Sequence, residues 1–327
     1  MRLTAASPGI APREASSTEA SQRIRALRDN VEKAIRGKNE TVKQAVAGLL
    51  AKGHLLIEDI PGVGKTTLAS CLARSIGGTF RRVQLTSDLL PSDIIGVSVF
   101  NPDAHAFEFK KGPLFANVIL ADELNRATPK TQSSLLEAMS EFRVSVDSQT
   151  HLLPNPFFVV ATLNPVEHHG TYPLPDSQLD RFLMRLEMGY PDAAAEREII
   201  VRQRLTNPSE TIEPVLTVGD VLKLQQKVRE IHVDDSLLDY MLALVKETRS
   251  SAAVELGVSP RGSLSLYRAT QALALVEGRN FVVPEDVLTL AVPVLGHRLV
   301  LKPGSGRASR TAAMIIEDIL RRVPVPS

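Results

Sequence analysis

Short apolar runs alternate with segments of helical periodicity through the first part of the chain. The runs predict five strands, at residues 54–58, 80–85, 118–121, 157–162 and 182–187. A further run at 142–153 alternates between polar and apolar residues, which predicts a β-hairpin. Buried strands that alternate with helices indicate a mostly parallel sheet covered by helices on both faces.

Helical periodicity dominates the two ends of this pattern. Apolar spacing predicts helices at about 21–37 and 40–52, each ending at a glycine, Gly37 or Gly53. After residue 189 only helical segments follow, over about 192–206, 218–231, 234–250, 260–277 and 284–296. Residues 1–20 are rich in Ala, Ser and Pro and lack periodicity, which predicts a disordered tail. The predicted organisation is a tail (1–20), an α/β core (21–189) and an all-helical domain (190–327).

Composition narrows the classes of partner. The chain of 327 residues has 43% hydrophobic residues and a formal net charge of +1, which gives no electrostatic reason to expect nucleic acid or membrane. Aromatic residues make up only 4%, too few to favour base stacking. Cys71 is the only cysteine, which excludes an intrachain disulfide, and we interpret it as a buried apolar residue. No apolar run reaches transmembrane length. We therefore predict a cytoplasmic protein without membrane insertion.

A strand, a glycine-containing loop and a helix follow one another at residues 54–75. The loop reads Pro61, Gly62, Val63, Gly64, Lys65, Thr66, Thr67, the context of a phosphate-binding loop. Lys65 can reach the terminal phosphates of ATP, and the Thr66 hydroxyl can bind Mg²⁺. Asp59 stands where the usual pattern has glycine, and we interpret it as a mild departure because aspartate tolerates a left-handed backbone.

Two acids end the apolar strand at 118–121. Ligands bind at the carboxyl ends of strands in open α/β sheets, so we expect Asp122 to hold Mg²⁺ and Glu123 to act as the general base on water. Asn164 follows the strand at 157–162, where its amide can hydrogen-bond the γ-phosphate and the water. Arg181 and Arg261 are individually weak signals, because most arginines are solvated.

Several of these motifs occur together in one known family. The segments 122–127 (Asp-Glu-Leu-Asn-Arg-Ala), 170–175 (Gly-Thr-Tyr-Pro-Leu-Pro), 178–182 (Gln-Leu-Asp-Arg-Phe) and 259–261 (Ser-Pro-Arg) resemble the MoxR family of AAA+ ATPases. The segments 112–115 and 89–93 add to the likeness, which covers roughly residues 24–320. Asp59 is compatible with this family.

The resemblance implies a fold, roles and partners. It implies a P-loop αβα sandwich followed by a helical lid, with Mg-ATP as the substrate. Asn164 would be sensor 1, Arg261 sensor 2 acting in cis, and Arg181 an arginine finger offered to the neighbouring subunit. Residues 101–111 would be a helix insert that, with the hairpin at 142–153, forms the working surface. The family forms homo-oligomeric rings, usually hexamers, and acts as chaperone-like ATPases on protein clients that often carry a von Willebrand factor A domain.

Other functions remain open at this point. Magnesium-chelatase ATPase subunits share the architecture, so a chelatase-like subunit is one alternative. A nucleic-acid motor is a second, although charge and aromatic content argue against it. A nucleotide-gated scaffold with negligible turnover is a third, and Glu123 and Asn164 argue against it. His168 and His169 depart from the family pattern, and we interpret them as part of a polar loop rather than a metal site.

Overall fold

The computed structural model of the chain describes residues 11–164, 170–203, 210–302 and 311–326. The strands in these ranges are β1 (Leu55–Glu58), β2 (Phe80–Gln84), β3 (Gly96–Asn101), β4 (Ala106–Lys111), β5 (Val118–Asp122), β6 (Arg143–Val146), β7 (Gln149–Leu152), β8 (Phe158–Leu163), β9 (Met184–Leu186), β10 (Val254–Leu256) and β11 (Val300–Leu301). The helices are α1 (Ala11–Glu32), α2 (Asn39–Leu50), α3 (Lys65–Ser75), α4 (Pro91–Ile95), α5 (Pro129–Glu141), α6 (Asp176–Leu179), α7 (Ala193–Gln203), α8 (Val218–Val228), α9 (Asp235–Ser250), α10 (Pro260–Val276), α11 (Pro284–Leu295) and α12 (Ala312–Arg322).

The predicted parallel sheet is confirmed. Five strands pair in the order β2–β5–β8–β1–β9, and every pairing is parallel. The strand β5 is buried along its length up to its last residue, as expected for a strand covered on both faces. All five strands end at the same edge of the sheet, so residues after β1, β5 and β8 meet there.

Two apolar clusters cover the two faces of the sheet. Alternate residues of β1 enter different clusters: Leu55 and Ile57 lie in one, and Leu56 lies in the other, as the period of two in a strand requires. The first cluster includes α1, α2 and α3 and continues into α10 through Leu266 and Leu273. The helical elements α7–α12, which we call the lid, therefore share a hydrophobic core with the α/β part, and α10 packs directly on α2.

The first helix is longer than predicted. It begins at Ala11, ten residues before the expected start at Ser21, so the prediction of a disordered tail is wrong for residues 11–20. Alanine has the highest helix propensity, and Pro12 lies at the start, where proline is tolerated. This segment can therefore be helical without an apolar stripe. Residues 1–10 lie outside the described ranges.

Several elements were absent from the predicted pattern, among them the short helices α4 and α6. The lid contains a two-stranded antiparallel pair, β10–β11, although only helices were expected there, and it ends with α12. Residues 96–111 form the antiparallel hairpin β3–β4. The hairpin predicted at 142–153 is present as β6–β7.

Two further predictions concern the cysteine and membrane-spanning helices. Cys71 is fully buried, and burial raises the pKa of its thiol to about 11, which agrees with its interpretation as an apolar residue. None of the helices in the described ranges combines the length and apolar character that a bilayer crossing requires.

Candidate functional site

The phosphate-binding loop lies at the carboxyl edge of the sheet, between β1 and α3. Gly62 has φ 86° and Gly64, which precedes α3, has φ 97°, conformations that glycine adopts at little cost. Loop residues Pro61, Gly62, Gly64, Lys65, Thr66 and Thr67 line a cavity of about 310 Å³, which we call the phosphate cavity. Val63 instead packs against the apolar cluster below. The loop thus presents its backbone and its polar side chains to one space at a helix N-terminus.

The side chain of Lys65 contacts the start of the phosphate-binding loop. Its ammonium donates a hydrogen bond to the carbonyl oxygen of Asp59. Partial burial lowers the pKa of Lys65, and the carboxylates of Asp59, Asp122 and Glu123 act in the opposite direction. The lysine therefore lies among acids that attract its charge, in a place where anionic phosphates would do the same.

Asp59 has a structural role that the sequence interpretation missed. Its backbone is not left-handed, so the reason given for tolerating aspartate there is wrong. Instead, Oδ2 accepts hydrogen bonds from the backbone N–H groups of Met188 (2.7 Å) and Gly189 (2.6 Å). Oδ1 accepts one from the N–H of Ile60 (2.8 Å). The carboxylate therefore ties the start of the loop to the segment after β9 that leads into the lid.

Asp122 and Glu123 also line the phosphate cavity, and neighbouring strands hold both carboxylates. Asp122 Oδ1 accepts a hydrogen bond from the Thr162 hydroxyl (2.6 Å) in β8, and Oδ2 accepts one from Arg82 (2.7 Å) in β2. Glu123 Oε2 accepts one from the Gln84 amide (2.8 Å) in β2. The acids are thus oriented by side chains from the two strands that flank β5.

The sequence interpretation missed Arg82, Gln84 and Thr162. Arg82 and Thr162 line the phosphate cavity, while Gln84 lies opposite Asp122 in the pairing of β2 with β5. The only sequence signal is their position near the ends of predicted strands, and their relevance depends on strand order, which the pattern did not give.

Asn164 reaches the same cavity. It is buried and directly follows β8, so the structure brings it together with Lys65, Asp122 and Glu123 as the sequence predicted. Residues 165–169, with His168 and His169, lie outside the described ranges. Within the described residues no group of three or more His, Cys, Asp or Glu side chains could hold a metal ion.

The two predicted arginines lie elsewhere. Arg181 and Arg261 line a second cavity of about 240 Å³, which we call the arginine cavity, together with the cations Lys52 and Arg268. His54, directly before β1, also lines it, whereas the phosphate-binding loop follows the other end of β1. The strand rise of about 3.3 Å per residue places roughly 10 Å between the two ends of this strand. No residue lines both cavities, so the structure does not bring Arg261 to the phosphate loop of its own chain.

Arg181 contacts the end of α5. Its guanidinium donates hydrogen bonds to the carbonyl oxygen of Leu136 (2.7 Å) and to the Ser140 hydroxyl (2.8 Å). It lies in the turn after α6 rather than at the start of the last strand, because β9 begins only at Met184. Its neighbour Asp180 pairs with Arg298 at 2.7 Å.

The chain matches two known sequence families in the order of its structural parts. Residues 54–184 match the ATPase family associated with various cellular activities (AAA), and residues 246–319 match the AAA lid domain. The first match spans β1 to β9, and the second covers most of the lid.

Relatives match nearly the whole chain. Protein YeaC of Bacillus subtilis (strain 168) is 48% identical over 91% of this chain and 93% of its own length. A crystal structure of a protein assigned as an ATPase from Cytophaga hutchinsonii has a TM-score of 0.90 and 36% identity, covering 98% of this chain and 100% of that chain. Chaperone MoxR1 of Mycobacterium tuberculosis (strain ATCC 25618 / H37Rv) is 42% identical over 90% of this chain and 80% of its own length. Together with the fold and the phosphate cavity, these relatives place the chain in the MoxR family of AAA+ ATPases, as an ATP hydrolase.

Proposed function

We propose that the protein is a Mg²⁺-dependent ATPase that works in the cytoplasm as a homo-oligomeric ring, with six subunits as the expected number. Its work is the remodelling or maturation of protein clients, and proteins with a von Willebrand factor A domain are the candidate clients. The observation that carries the proposal is the division of the expected catalytic residues between two cavities at opposite ends of β1.

The phosphate cavity suits magnesium and ATP phosphates. Thr66 and Asp122 offer a hydroxyl and a carboxylate to the same space, and such hard oxygen ligands are those that Mg²⁺ takes alongside substrate phosphates. The ion would neutralise charge that develops on the phosphates during transfer. Lys65 and the N–H groups at the start of α3 bind and orient the phosphate chain.

Glu123 and Asn164 supply the hydrolytic groups. The Glu123 carboxylate is kept in place by Gln84 (2.8 Å) and by Arg126 (3.2 Å). From this position it takes the proton of the attacking water as a general base. Asn164, buried at the end of β8, orients the water and the γ-phosphate through its amide.

Arg181 and Arg261 act on the ATP of a neighbouring subunit. Two features support this assignment: both line one cavity, and that cavity lies at the end of β1 remote from the loop of the same chain. The assignment differs from the expectation for Arg261, which placed it in cis. A guanidinium supplied in trans to a phosphoryl group raises turnover by roughly 10³–10⁵-fold, so an isolated subunit would be nearly inactive.

Two hairpins offer a surface for clients. Phe100 and Phe107 of β3–β4 are exposed and contact each other with ring centroids 5.5 Å apart. On the same hairpin, Phe109 stacks on His151 of β6–β7 at 4.1 Å, which joins the two hairpins. Exposed aromatic residues are frequent at protein interfaces, and a relative named as a chaperone supports protein clients.

Client capture by Glu123→Gln tests the proposal. This variant should bind ATP without turning it over, so it should retain purified proteins with a von Willebrand factor A domain when ATP is present. Lys65→Ala is the matched control, since it should lose ATP and therefore the client. Equal retention by both variants, or retention by neither, would contradict the proposed client class.

A further inference from the structure

A buried arginine joins the loop that carries Arg181 to the lid. Arg298 follows α11, and its side chain is only 1% exposed. It donates hydrogen bonds to Asp180 Oδ1 (2.7 Å) and to the carbonyl oxygens of Phe182 (2.5 Å) and Leu183 (3.2 Å). All three acceptors lie in the turn on either side of Arg181. One guanidinium thus fixes both the carboxylate and the backbone of this turn.

The other oxygen of Asp180 reaches the helix that carries Arg261. Asp180 Oδ2 accepts a hydrogen bond from the hydroxyl of Ser259 (2.8 Å). Ser259 is also the N-cap of α10, two residues before Arg261. A single carboxylate therefore connects the turn of Arg181 with the first residues of α10.

Arg298 also contacts α10 itself. It donates to the Ser265 hydroxyl at 3.2 Å. A Cβ at Gly262 would lie 2.4 Å from Val258 Cγ1 and 2.9 Å from Arg298 Cδ, so the glycine directly after Arg261 leaves room for both side chains. Burial lowers the pKa of Arg298 to about 10 and the Asp180 carboxylate opposes this shift, so the guanidinium is protonated at neutral pH.

We propose that Asp180 and Arg298 are positioning residues for ATP hydrolysis, which hold Arg181 and Arg261 as one rigid unit facing the arginine cavity. The inference rests on the proposed role of these two arginines towards a neighbouring subunit's ATP. Stability alone does not explain a buried ion pair, because well-packed apolar residues in its place often stabilise the fold equally well. It does fix a geometry, and misplacing a catalytic group by about 1 Å can cost roughly 10²-fold in rate.

Asp180→Asn tests the inference, because the change keeps the shape of the side chain and removes its charge. We expect kcat to fall by about 10²-fold, while KM and the affinity for ATP stay near their wild-type values. Asp286→Asn is the matched control: Asp286 forms another buried ion pair of the lid, with Arg279 at 2.6 Å, but lines neither cavity. It should lower the melting temperature without changing kcat.

A combined variant separates positioning from an independent effect. If Asp180 acts through Arg181 and Arg261, adding Asp180→Asn to a variant with both arginines replaced by alanine should not slow turnover further. A further loss of kcat in the combined variant, or a wild-type kcat for Asp180→Asn alone, would overturn the inference. If Asp180→Asn does not fold, Ser259→Ala is the milder change, because it removes one hydrogen bond to the carboxylate together with the side-chain cap of α10. It should show a smaller loss confined to kcat, and an unchanged kcat would overturn the inference equally.

The same measurements distinguish a failure of the positioning role from a failure of the proposed function of the two arginines. If Arg181→Ala retains the wild-type kcat, the proposed role of the arginine cavity is wrong and the inference falls with it. If Arg181→Ala loses turnover while Asp180→Asn does not, the arginine remains catalytic and only the positioning role is wrong.

Discussion

The carboxylate of Asp59 should stabilise the folded chain and keep the phosphate-binding loop in the conformation that binds ATP. Asp59→Ala removes the acceptor of the Met188 and Gly189 N–H groups, which bond to it at 2.7 and 2.6 Å. It also removes the acceptor of the local bond from Ile60. The first two bonds join segments about 130 residues apart in sequence, so no local structure can replace them.

The loss can be estimated from these contacts. A hydrogen bond to a charged group contributes about 1.5–3 kcal/mol, and Asp59 is partly exposed, so we take the lower end for the two long-range bonds. This gives about 3 kcal/mol, or about 6 °C in melting temperature for a chain of this size. If about half of that energy keeps the loop in its binding conformation, the competent fraction falls to about a tenth and the apparent Kd for ATP rises about tenfold.

Calorimetry of ATP binding and thermal unfolding measure the two effects. Asp234→Ala is the matched control, because Asp234 also caps backbone and side-chain donors, of Ser236 at 2.9 and 2.6 Å, but at the start of α9 in the lid. Losing this cap should cost about 1 kcal/mol and leave ATP affinity unchanged. If Asp59→Ala melts and binds ATP like the wild type, the proposed tie between loop and lid segment is wrong.

Three other variants test separate parts of the account. Glu123→Gln should keep ATP affinity in calorimetry while kcat falls by about 10²–10⁴-fold; a wild-type rate of phosphate release would exclude Glu123 as the base. Replacing Phe100 and Phe107 with serine should abolish client capture and leave ATPase activity and melting intact, whereas a collapsed melting transition would place the hairpin in the core. Burial lowers the pKa of His54 from 6.5 to about 4, so below pH 6.5 the unfolded state binds more protons. Stability should therefore fall by about 3 kcal/mol between pH 6.5 and 4, and urea titrations of His54→Gln should show a flatter pH dependence; an unchanged profile would contradict this cause.

The phosphate cavity could be predicted largely because its parts are local or end adjacent strands. The loop from Pro61 to Thr67 is contiguous, and Asp122, Glu123 and Asn164 each follow an apolar run that identifies a strand. Parallel strands bring such residues to one edge whatever their separation in sequence. The pattern therefore predicted which residues meet there without the exact strand order.

The remaining features depend on tertiary contacts or weak local signals. Nothing near Asp59 in sequence indicates that its carboxylate bonds to Gly189. Likewise, Arg181 and Arg261 share a cavity through tertiary contacts between the lid and the turn after α6, among them those of Arg298. The strands β10 and β11 are two to three residues long, too short to show alternation. The first turns of α1 have no apolar periodicity, and the helix propensity of alanine explains why they are helical.

Mixing Arg181→Ala with Lys65→Ala tests most directly the claim that two subunits share one active site. Each variant alone should be nearly inactive, because the first lacks the arginine and the second lacks the phosphate-binding lysine. In mixed rings, roughly a quarter of the head-to-tail interfaces combine an intact Lys65 with an intact Arg181. Turnover should therefore recover towards a quarter of the wild-type rate, whereas Lys65→Ala mixed with a variant that carries both Lys65→Ala and Arg181→Ala should stay inactive. Fluorescence energy transfer between labelled subunits should first confirm that the subunits exchange. If the mixture is still inactive after exchange, the shared site is contradicted. A dilute monomer that keeps full specific activity would contradict it as well.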